Sequence, residues 1–302
     1  MNGFIVIDKP AGITSHDVVS RVRRILGTKK VGHTGTLDPF ATGVLPIAVN
    51  DGTKCIPFLD EGSKTYEALL RLGVTTDTLD MTGAVLTESD TSCISREQLL
   101  SVLSEFTGSI SQIPPMYSAI KQNGQPLYKL ARQGVEVERK ARDVEINSLE
   151  LLSFDLSFAA IRVTCSRGTY VRSLADDIGR RLGCGAALQE LRRSASGPFR
   201  IEDAVTLVEL ETVAGEGRSE AHCLSPMAAL GHLLEIPLTA DGLDGLRFGR
   251  APLWGHTSLE TPMACKLESL VRLTYGGKLV AVARLIPRGE DDAAIVLKRV
   301  LV

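Results

Sequence analysis

A stretch of fifteen residues, 32–46, constrains the fold of this chain more tightly than any other part of the sequence. It reads Gly-His-Thr-Gly-Thr-Leu-Asp-Pro-Phe-Ala-Thr-Gly-Val-Leu-Pro and holds three glycines and two prolines. Proline fixes φ, and glycine reaches backbone conformations that other residues avoid, so this composition predicts a tight loop of specific shape. The apolar residues 44–49 predict a buried strand that leaves the loop.

Asp38 is the carboxylate within this loop, and it is isolated in the sequence. No lysine follows the glycines at the spacing of a phosphate-binding loop, and no second acid lies nearby for the paired-carboxylate chemistry of glycosidases. A single aspartate in a constrained loop suits a nucleophile or a general base. Aspartate is also common in turns, and the loop considered alone favours that structural role.

The net charge of −2 does not by itself indicate a polyanionic partner, but the charges are segregated along the chain. Residues 21–33 hold five lysines and arginines and no acid, residues 121–142 hold six against two acids, and residues 202–220 hold six acids and one base. Such segregation permits a basic face of the kind that binds nucleic acid. Solvated helix faces would give the same pattern, so charge alone leaves both interpretations open.

The spacing of apolar residues predicts an α+β fold with a mixed, mainly antiparallel sheet. Strands are expected at 3–8, 44–49, 65–74, 144–152 and 158–165, and helices at 14–27, 95–108, 169–182, after Thr206 and after Ser225. Residues 109–142 combine prolines, glycines, two tyrosines and many bases, which predicts an extended, partly irregular insertion.

The last part of the chain predicts a separate small β-rich unit. Three short strands are expected at 270–275, 279–286 and 294–300, and Tyr275-Gly276-Gly277-Lys278 has the composition of a hairpin turn. We therefore divide the chain into a first domain of residues 1–234 and a C-terminal domain of residues 235–302.

Several runs of residues occur in an order that is typical of one enzyme family. They are IDKPAGITS (7–15), GHTGTLDP (32–39), ATGVLP (41–46), KTY (64–66), PPMYSAIK (114–121), RGTYVR (167–172) and LRR (191–193). With these motifs the sequence closely resembles the TruB family of tRNA pseudouridine synthases across roughly residues 3–200. The resemblance implies the pseudouridine synthase fold, with a thumb-like insertion at about 109–142 and a C-terminal RNA-binding domain.

The resemblance also implies a reaction and its catalytic groups. The family isomerises uridine to pseudouridine at position 55 in the T arm of tRNA, without metal or cofactor. Asp38 matches the catalytic aspartate, which acts as a nucleophile toward the sugar or the base, or as a base at the sugar; the sequence leaves these routes open. Arg172 matches the arginine that pairs with it, and Tyr66 matches a tyrosine that stacks on the flipped base and is a candidate for proton transfer.

Four further positions are carried over by the same motifs. Tyr170 and Leu191 match residues that close the pocket around the base, and His33 matches a histidine that stabilises the flipped-out nucleotide. Lys9 matches a lysine that supports the loop bearing the aspartate. Taken one at a time, these aromatic and apolar residues would be ordinary core residues, and only the complete motif set favours a functional role.

The expected partner is the T stem-loop of tRNA, and no obligate protein partner, membrane or metal is expected. We expect a cytoplasmic monomer. Six cysteines (55, 93, 165, 184, 223 and 265) lie far apart without a C-x-x-C pair, and the histidines have no metal-binding spacing. No signal peptide precedes the first strand, and no apolar run is long enough to span a bilayer.

Two rival functions fit part of the sequence. An RNA-binding chaperone without catalysis would explain the basic segments equally well, but it gives no reason for a constrained carboxylate near phosphates. A hydrolase with an aspartyl intermediate would require a second acid or a metal site, and the sequence has neither at a recognisable spacing.

Overall fold

A nine-stranded sheet forms the centre of the part of the chain that the computed structural model describes, which is residues 1–60, 62–122, 124–259, 268–288 and 292–302. In chain order the strands are β1 (Gly3–Lys9), β2 (Val31–His33), β3 (Thr42–Val49), β4 (Ser63–Leu72), β5 (Val74–Thr76), β6 (Val85–Glu88), β7 (Gly108–Gln112), β8 (Lys121–Gln122), β9 (Gln125–Pro126), β10 (Arg142–Asp155), β11 (Phe158–Ser166), β12 (Ala186–Ser196), β13 (Phe199–Arg200), β14 (Leu234–Pro237), β15 (Ser269–Tyr275), β16 (Lys278–Pro287) and β17 (Ala293–Val300). The helices are α1 (Ser15–Ile25), α2 (Gly52–Cys55), α3 (Arg96–Glu105), α4 (Leu127–Arg132), α5 (Val171–Leu182), α6 (Leu207–Gly215), α7 (Pro226–Ala229) and α8 (Ala240–Arg247).

The strand order of the main sheet is β1-β3-β12-β4-β11-β10-β7, with β2 paired to β3 and β13 paired to β12. The neighbouring strands run antiparallel except β3 and β12, which run parallel. The prediction of a mixed, mainly antiparallel sheet is confirmed. The parallel pair places the end of the 32–46 stretch against Arg192 and Arg193 in the middle of the sheet.

Helices α1, α3, α5 and α6 cover one face of this sheet and form the main hydrophobic core with it. Their N-termini follow from local sequence: Thr14, Ser95 and Thr206 each begin a helix with a capping box, in which side chains satisfy otherwise unpaired backbone N–H groups. Helix α5 ends at Gly183, whose φ of 80° is the left-handed conformation that terminates helices.

The C-terminal strands form a second sheet of order β14-β15-β16-β17, with its own core beneath α8. The three predicted strands and the hairpin turn are confirmed, because Tyr275 pairs with Lys278 across the two glycines. The sequence did not predict β14, which runs parallel to β15. Val282 of this sheet packs with Phe4 and Val6 on the face of the main sheet opposite the helices.

Four features of the fold differ from the sequence expectations. Strand β4 ends at Leu72 because Gly73 turns the chain with φ of 78°, and the predicted helix at 169–182 begins only at Val171. The insertion is shorter than expected, because its first residues form β7 and pair with β10 at the sheet edge. Strand β12 was missed, since its Ala-, Leu- and Arg-rich sequence resembles a helix and only its two neighbouring strands make it extended.

No helix among the described residues is long and apolar enough to cross a membrane. Cys55, Cys93, Cys165, Cys184 and Cys223 are free thiols. Cys265 lies outside the described residues.

Candidate active site

The loop that carries Asp38 is held from beneath by Lys9. This lysine is fully buried, and its Nζ donates hydrogen bonds to the carbonyl oxygens of Pro10 (2.9 Å), Pro39 (3.1 Å) and Ala41 (2.7 Å). On the other side of the loop, Ser15 Oγ accepts from the Leu37 N–H and donates to the Leu37 carbonyl. The tight loop that the glycines and prolines predict is therefore fixed by contacts on both sides of Asp38.

Burial of the Lys9 ammonium lowers its pKa to about 8, although the Asp38 carboxylate opposes this change. Lys9 is thus a loop support, and it also contributes positive charge close to Asp38. The structure places it where the resemblance expects a supporting lysine.

Arg172 lies in the first turn of α5 and contacts Asp38 directly. Its Nε is 2.9 Å from Asp38 Oδ2, and its Nη2 donates to Asp38 Oδ1 at 3.2 Å. The guanidinium is only 4% exposed, whereas the Asp38 side chain is 32% exposed. The expected contact between these residues is present, and the carboxylate remains accessible from one side.

The same guanidinium is held by main-chain carbonyls from two other segments. Nη1 donates to Thr78 O at 3.0 Å, and Nη2 donates to Tyr117 O at 2.8 Å. Three segments that are distant in sequence therefore meet at Arg172: the Asp38 loop, the segment before β6 and the insertion.

A second carboxylate, Asp80, shares Arg172 with Asp38. Asp80 Oδ2 lies 3.6 Å from Arg172 Nη1, and the Asp80 side chain is buried. Its carboxylate also accepts from the Thr78 hydroxyl, the Thr82 hydroxyl and the Thr82 N–H. Asp38 is isolated in the sequence, but the fold brings the carboxylate of Asp80, which lies far along the chain, to the same arginine.

The pKa of Asp38 is raised above its ordinary value. Burial is the largest cause, Arg172 opposes it, and the Asp80 charge raises the pKa further. The Arg172 guanidinium favours the ionised carboxylate, as an opposite charge in contact does. In the free protein, however, burial outweighs the arginine.

Tyr66 lies on β4, directly opposite Arg193 of β12 and Val163 of β11. It is buried on the helix-covered face, and burial raises the pKa of its phenol while Arg193 lowers it. Leu191 is two residues before Arg193 and pairs with Ala68, so its side chain lies on the same face as Tyr66. The aromatic ring and the leucine thus border one region of the sheet.

Tyr170 immediately precedes α5, and a buried amide holds its main chain. Gln112 accepts from the Tyr170 N–H at 2.8 Å and donates to the Tyr170 carbonyl at 3.1 Å. Ser173 Oγ adds a bond to the Ile113 carbonyl. The first limb of the insertion is therefore attached to the first turn of α5, which also carries Arg172. Sequence reasoning missed Gln112, because nothing in its local sequence signals a contact with Tyr170.

His33 ends β2 at the entrance to the loop. Burial lowers its pKa, and His16 and Arg193 lower it further, so the neutral imidazole is favoured. Its Nδ1 is buried and has no hydrogen-bond partner within the described part of the structure. The hydrogen-bonding capacity of this nitrogen is therefore unused within the described part of the structure.

The arrangement supplies an accessible carboxylate on the Asp38 loop, a buried cation that orients it, and the aromatic side chain of Tyr66 on β4. Across the described ranges, no three histidine, cysteine, aspartate or glutamate side chains are grouped so that they could hold a metal ion. The groups present are suited to nucleophilic or acid–base chemistry on a molecule that approaches the exposed side of Asp38.

Comparison with known proteins gives consistent similarities. Residues 23–171 match the family model described as TruB family pseudouridylate synthase (N terminal domain), and residues 172–231 match the tRNA pseudouridylate synthase B C-terminal domain. The chain is 54% identical over 284 residues to tRNA pseudouridine synthase B of Geotalea uraniireducens (strain Rf4), covering 94% of this chain and 92% of that protein. It is 52% identical over 283 residues to the protein of the same name in Geobacter sulfurreducens (strain ATCC 51573 / DSM 12127 / PCA), covering 94% and 93%.

Solved structures agree with these sequence matches. An H/ACA RNP bound to a substrate RNA containing 2′-deoxyuridine contains a chain that superposes with a TM-score of 0.76 at 26% identity, covering 99% of this chain and 85% of that one. A chain of the archaeal box H/ACA sRNP Nop10-Cbf5 complex superposes with a TM-score of 0.73 at 28% identity, covering 99% and 86%.

Proposed function

Because this chain belongs to the TruB family of pseudouridylate synthases, we propose that it converts uridine to pseudouridine in tRNA, at position 55 of the T arm. The observation that supports this most directly is the ion pair between Asp38 and Arg172 in a loop that leaves the carboxylate partly exposed. The relatives are named for this activity on tRNA.

The proposed reaction is an isomerisation in which all atoms of the base and sugar are conserved. The bond between N1 and C1′ breaks, the base turns, and C5 bonds to C1′; the C5 proton is lost and N1 gains a proton. Asp38 acts on the sugar or the base as a nucleophile, or on the sugar as a base. Arg172 holds its carboxylate in one orientation and favours its ionised form against the effect of burial.

The neighbouring residues are proposed to bind the base. Enzymes that act on a paired or stacked base usually flip it out of the helix first. Tyr66 offers an aromatic face and a phenol to such a flipped base. Tyr170 and Leu191 close the pocket, His33 contacts the flipped-out nucleotide, and Lys9 supports the loop.

Binding of the T stem-loop is assigned to the insertion and to the C-terminal sheet. The insertion carries several cations, among them Lys121, Lys129 and Lys140. The guanidinium of Arg132 stacks on the ring of Tyr128, 5.6 Å from the ring centroid. Cations bind the phosphate backbone, while loop shape and exposed bases give recognition. We propose that the protein acts as a cytoplasmic monomer without an obligate protein partner.

The test is a site-mapped assay. Purified protein is incubated with an unmodified tRNA transcript, and pseudouridine is detected by carbodiimide-dependent primer-extension stops, with a transcript carrying cytidine at position 55 as control. We expect a stop at position 55 only with the uridine transcript. Absence of the product with the wild-type protein would exclude the proposed function.

The Asp38→Asn variant separates catalysis from binding. We expect it to lose turnover by at least about 10³-fold while its tRNA Kd stays within a few-fold, since the amide fills the same space without the charge. A variant that remains active would show that Asp38 is not the reacting group. A wild type that refolds tRNA without modifying it would instead support the chaperone function.

A further inference from the structure

Arg193 is the largest of the side chains that are completely buried in this structure. It follows Leu191 by two residues on β12, and its guanidinium lies on the helix-covered face of the sheet with Tyr66. Nowhere in the described ranges does a carboxylate lie within ion-pair distance of it. A fully buried cation without a paired anion is costly to the fold, so its retention calls for a specific set of contacts.

Those contacts are main-chain carbonyls at both ends of the Asp38 loop. Nε donates to Val44 O at 2.7 Å, where the chain leaves the loop. Nη1 donates to Thr36 O at 3.4 Å, and Nη2 donates to Gly35 O at 3.3 Å, where the chain enters it. One rigid, planar group thus fixes the distance between the two arms of the loop.

The main chain of Arg193 adds a further constraint on the same loop. It pairs with Gly43 in the parallel ladder between β3 and β12. Gly43 has φ of 97°, and a Cβ atom there would lie 2.2 Å from the Arg193 carbonyl oxygen. Only glycine allows the loop to approach this closely, so the loop and Arg193 are packed backbone to backbone.

Arg193 is also the neighbour of Tyr66. The two residues are directly opposite in the antiparallel register of β4 and β12, so their side chains lie next to each other on the same face of the sheet. The Arg193 charge lowers the pKa of the Tyr66 phenol against the effect of burial. Because a guanidinium has only donors, it can act on the phenol only through the phenol oxygen.

We infer that Arg193 is a positioning residue that holds the Asp38 loop and the Tyr66 ring in one fixed relation, so that carboxylate and phenol meet the same uridine. This inference rests on the proposed function. Arg193 itself does not touch the substrate, because it lies beneath both groups and is closed off from solvent.

The adjacent Arg192 offers a matched control. It lies on the same strand but on the opposite face of the sheet, is 42% exposed, and forms a 2.8 Å ion pair with Asp8.

The experiment compares three variants, Arg193→Lys, Arg193→Gln and Arg192→Gln, with the wild type. It measures the rate of single-turnover pseudouridine formation, the tRNA Kd and thermal unfolding. We expect the Arg193 variants to lose roughly 10- to 100-fold in rate, the loss typical of small misplacements of reacting groups, with Kd within about threefold. Arg192→Gln should stay within about threefold in both.

A double-mutant cycle with Tyr66→Phe tests whether Arg193 acts through the phenol. If it does, Arg193→Lys should cost clearly less in the Tyr66→Phe background than in the wild type, because the contact is already lost. Unchanged rates in folded Arg193 variants, losses that simply multiply with Tyr66→Phe, or failure of both Arg193 variants to fold would overturn the inference. If the wild type forms no pseudouridine in the same assay, the proposed function itself fails, which is a different outcome.

Discussion

Arg172 and Asp38 are separated by 134 positions in the chain, yet their side chains meet in an ion pair in which Nε of the arginine lies 2.9 Å from Oδ2 of the aspartate. The arginine is almost completely buried and the aspartate is partly exposed. The buried arginine therefore fixes the orientation of the pair, while the aspartate carboxylate faces solvent.

The Arg172→Met variant should shift the pH dependence of the reaction to higher pH. Burial and Asp80 raise the pKa of Asp38, and Arg172 is the main group that opposes them. Without the guanidinium this pKa rises further, so a higher pH is needed to form the reactive carboxylate. Single-turnover rates measured between about pH 5 and 9 would show the rising limb of the pH–rate profile shifted to higher pH.

Arg172→Lys is the control for charge. It keeps a cation near Asp38, so the limb should move less, but one ammonium cannot reproduce the planar contacts to Asp38, Thr78 O and Tyr117 O. We therefore expect a lower plateau with a smaller shift. A rising limb that stays at the wild-type pH in Arg172→Met would contradict the assigned role of the arginine.

The Asp80→Asn variant should have the opposite effect on the pKa of Asp38. Removing the Asp80 charge removes one cause of the raised pKa, so the rising limb should move to lower pH. Arg172 also loses a charged partner at 3.6 Å, and its looser orientation should lower the plateau by roughly 10-fold or more. The same pH series measures both effects, and a tRNA Kd near that of the wild type would show that binding is intact. A plateau equal to that of the wild type would show that Asp80 is dispensable.

Local sequence was sufficient for the parts of the fold that depend on local chemistry. The predicted helix starts near Thr14, Ser95 and Thr206 and the hairpin after Tyr275 are confirmed, because the hydrogen bonds that form these caps and this turn are made within a few residues. The contact between Asp38 and Arg172 was expected only because the complete motif set resembles a known family.

Long-range partners could not be predicted from these patterns. Asp80 lies in a turn whose sequence suggests only local hydrogen bonds, and Leu79 beside it adopts a left-handed φ of 63° that no propensity indicates. Arg193 looks like one of two adjacent surface arginines until β12 is inserted between β3 and β4. Which arginine is buried depends on the strand register, because neighbouring side chains point to opposite faces.

Lys9 should contribute to folding stability in a pH-dependent way. Its pKa falls from 10.5 to about 8 on burial. Between these pH values the unfolded chain binds more protons at Lys9 than the folded protein does, so this residue's contribution to stability rises with pH across the window. Below pH 8 the buried ammonium carries its full desolvation cost, partly offset by three carbonyls.

The comparison with Lys9→Met isolates this effect, since other groups titrate equally in both proteins. The stability of the wild type relative to the variant should increase by about 2 kcal/mol between pH 7 and 9.5, the value that follows from the shift in pKa. Urea unfolding at both pH values measures it. A difference in stability that does not change with pH would show that Lys9 keeps an ordinary pKa.

Gln112 should link the insertion to the rate of the reaction. Its amide makes both hydrogen bonds to the main chain of Tyr170, and it is buried where the insertion leaves the sheet. Gln112→Ala leaves the Tyr170 N–H without its partner, at a cost of about 1–3 kcal/mol, while the Tyr170 carbonyl still accepts from the Leu174 N–H. Because Tyr170 is only two residues before Arg172, a displacement of its main chain should also lower the single-turnover rate, by up to about 10²-fold. Gln98→Ala is the matched control, since Gln98 also bonds to a backbone N–H, in the cap of α3, and is exposed. Both variants should lose stability, but only Gln112→Ala should lose rate at a temperature where it is fully folded. Equal rates in the two variants would show that the amide serves the fold alone.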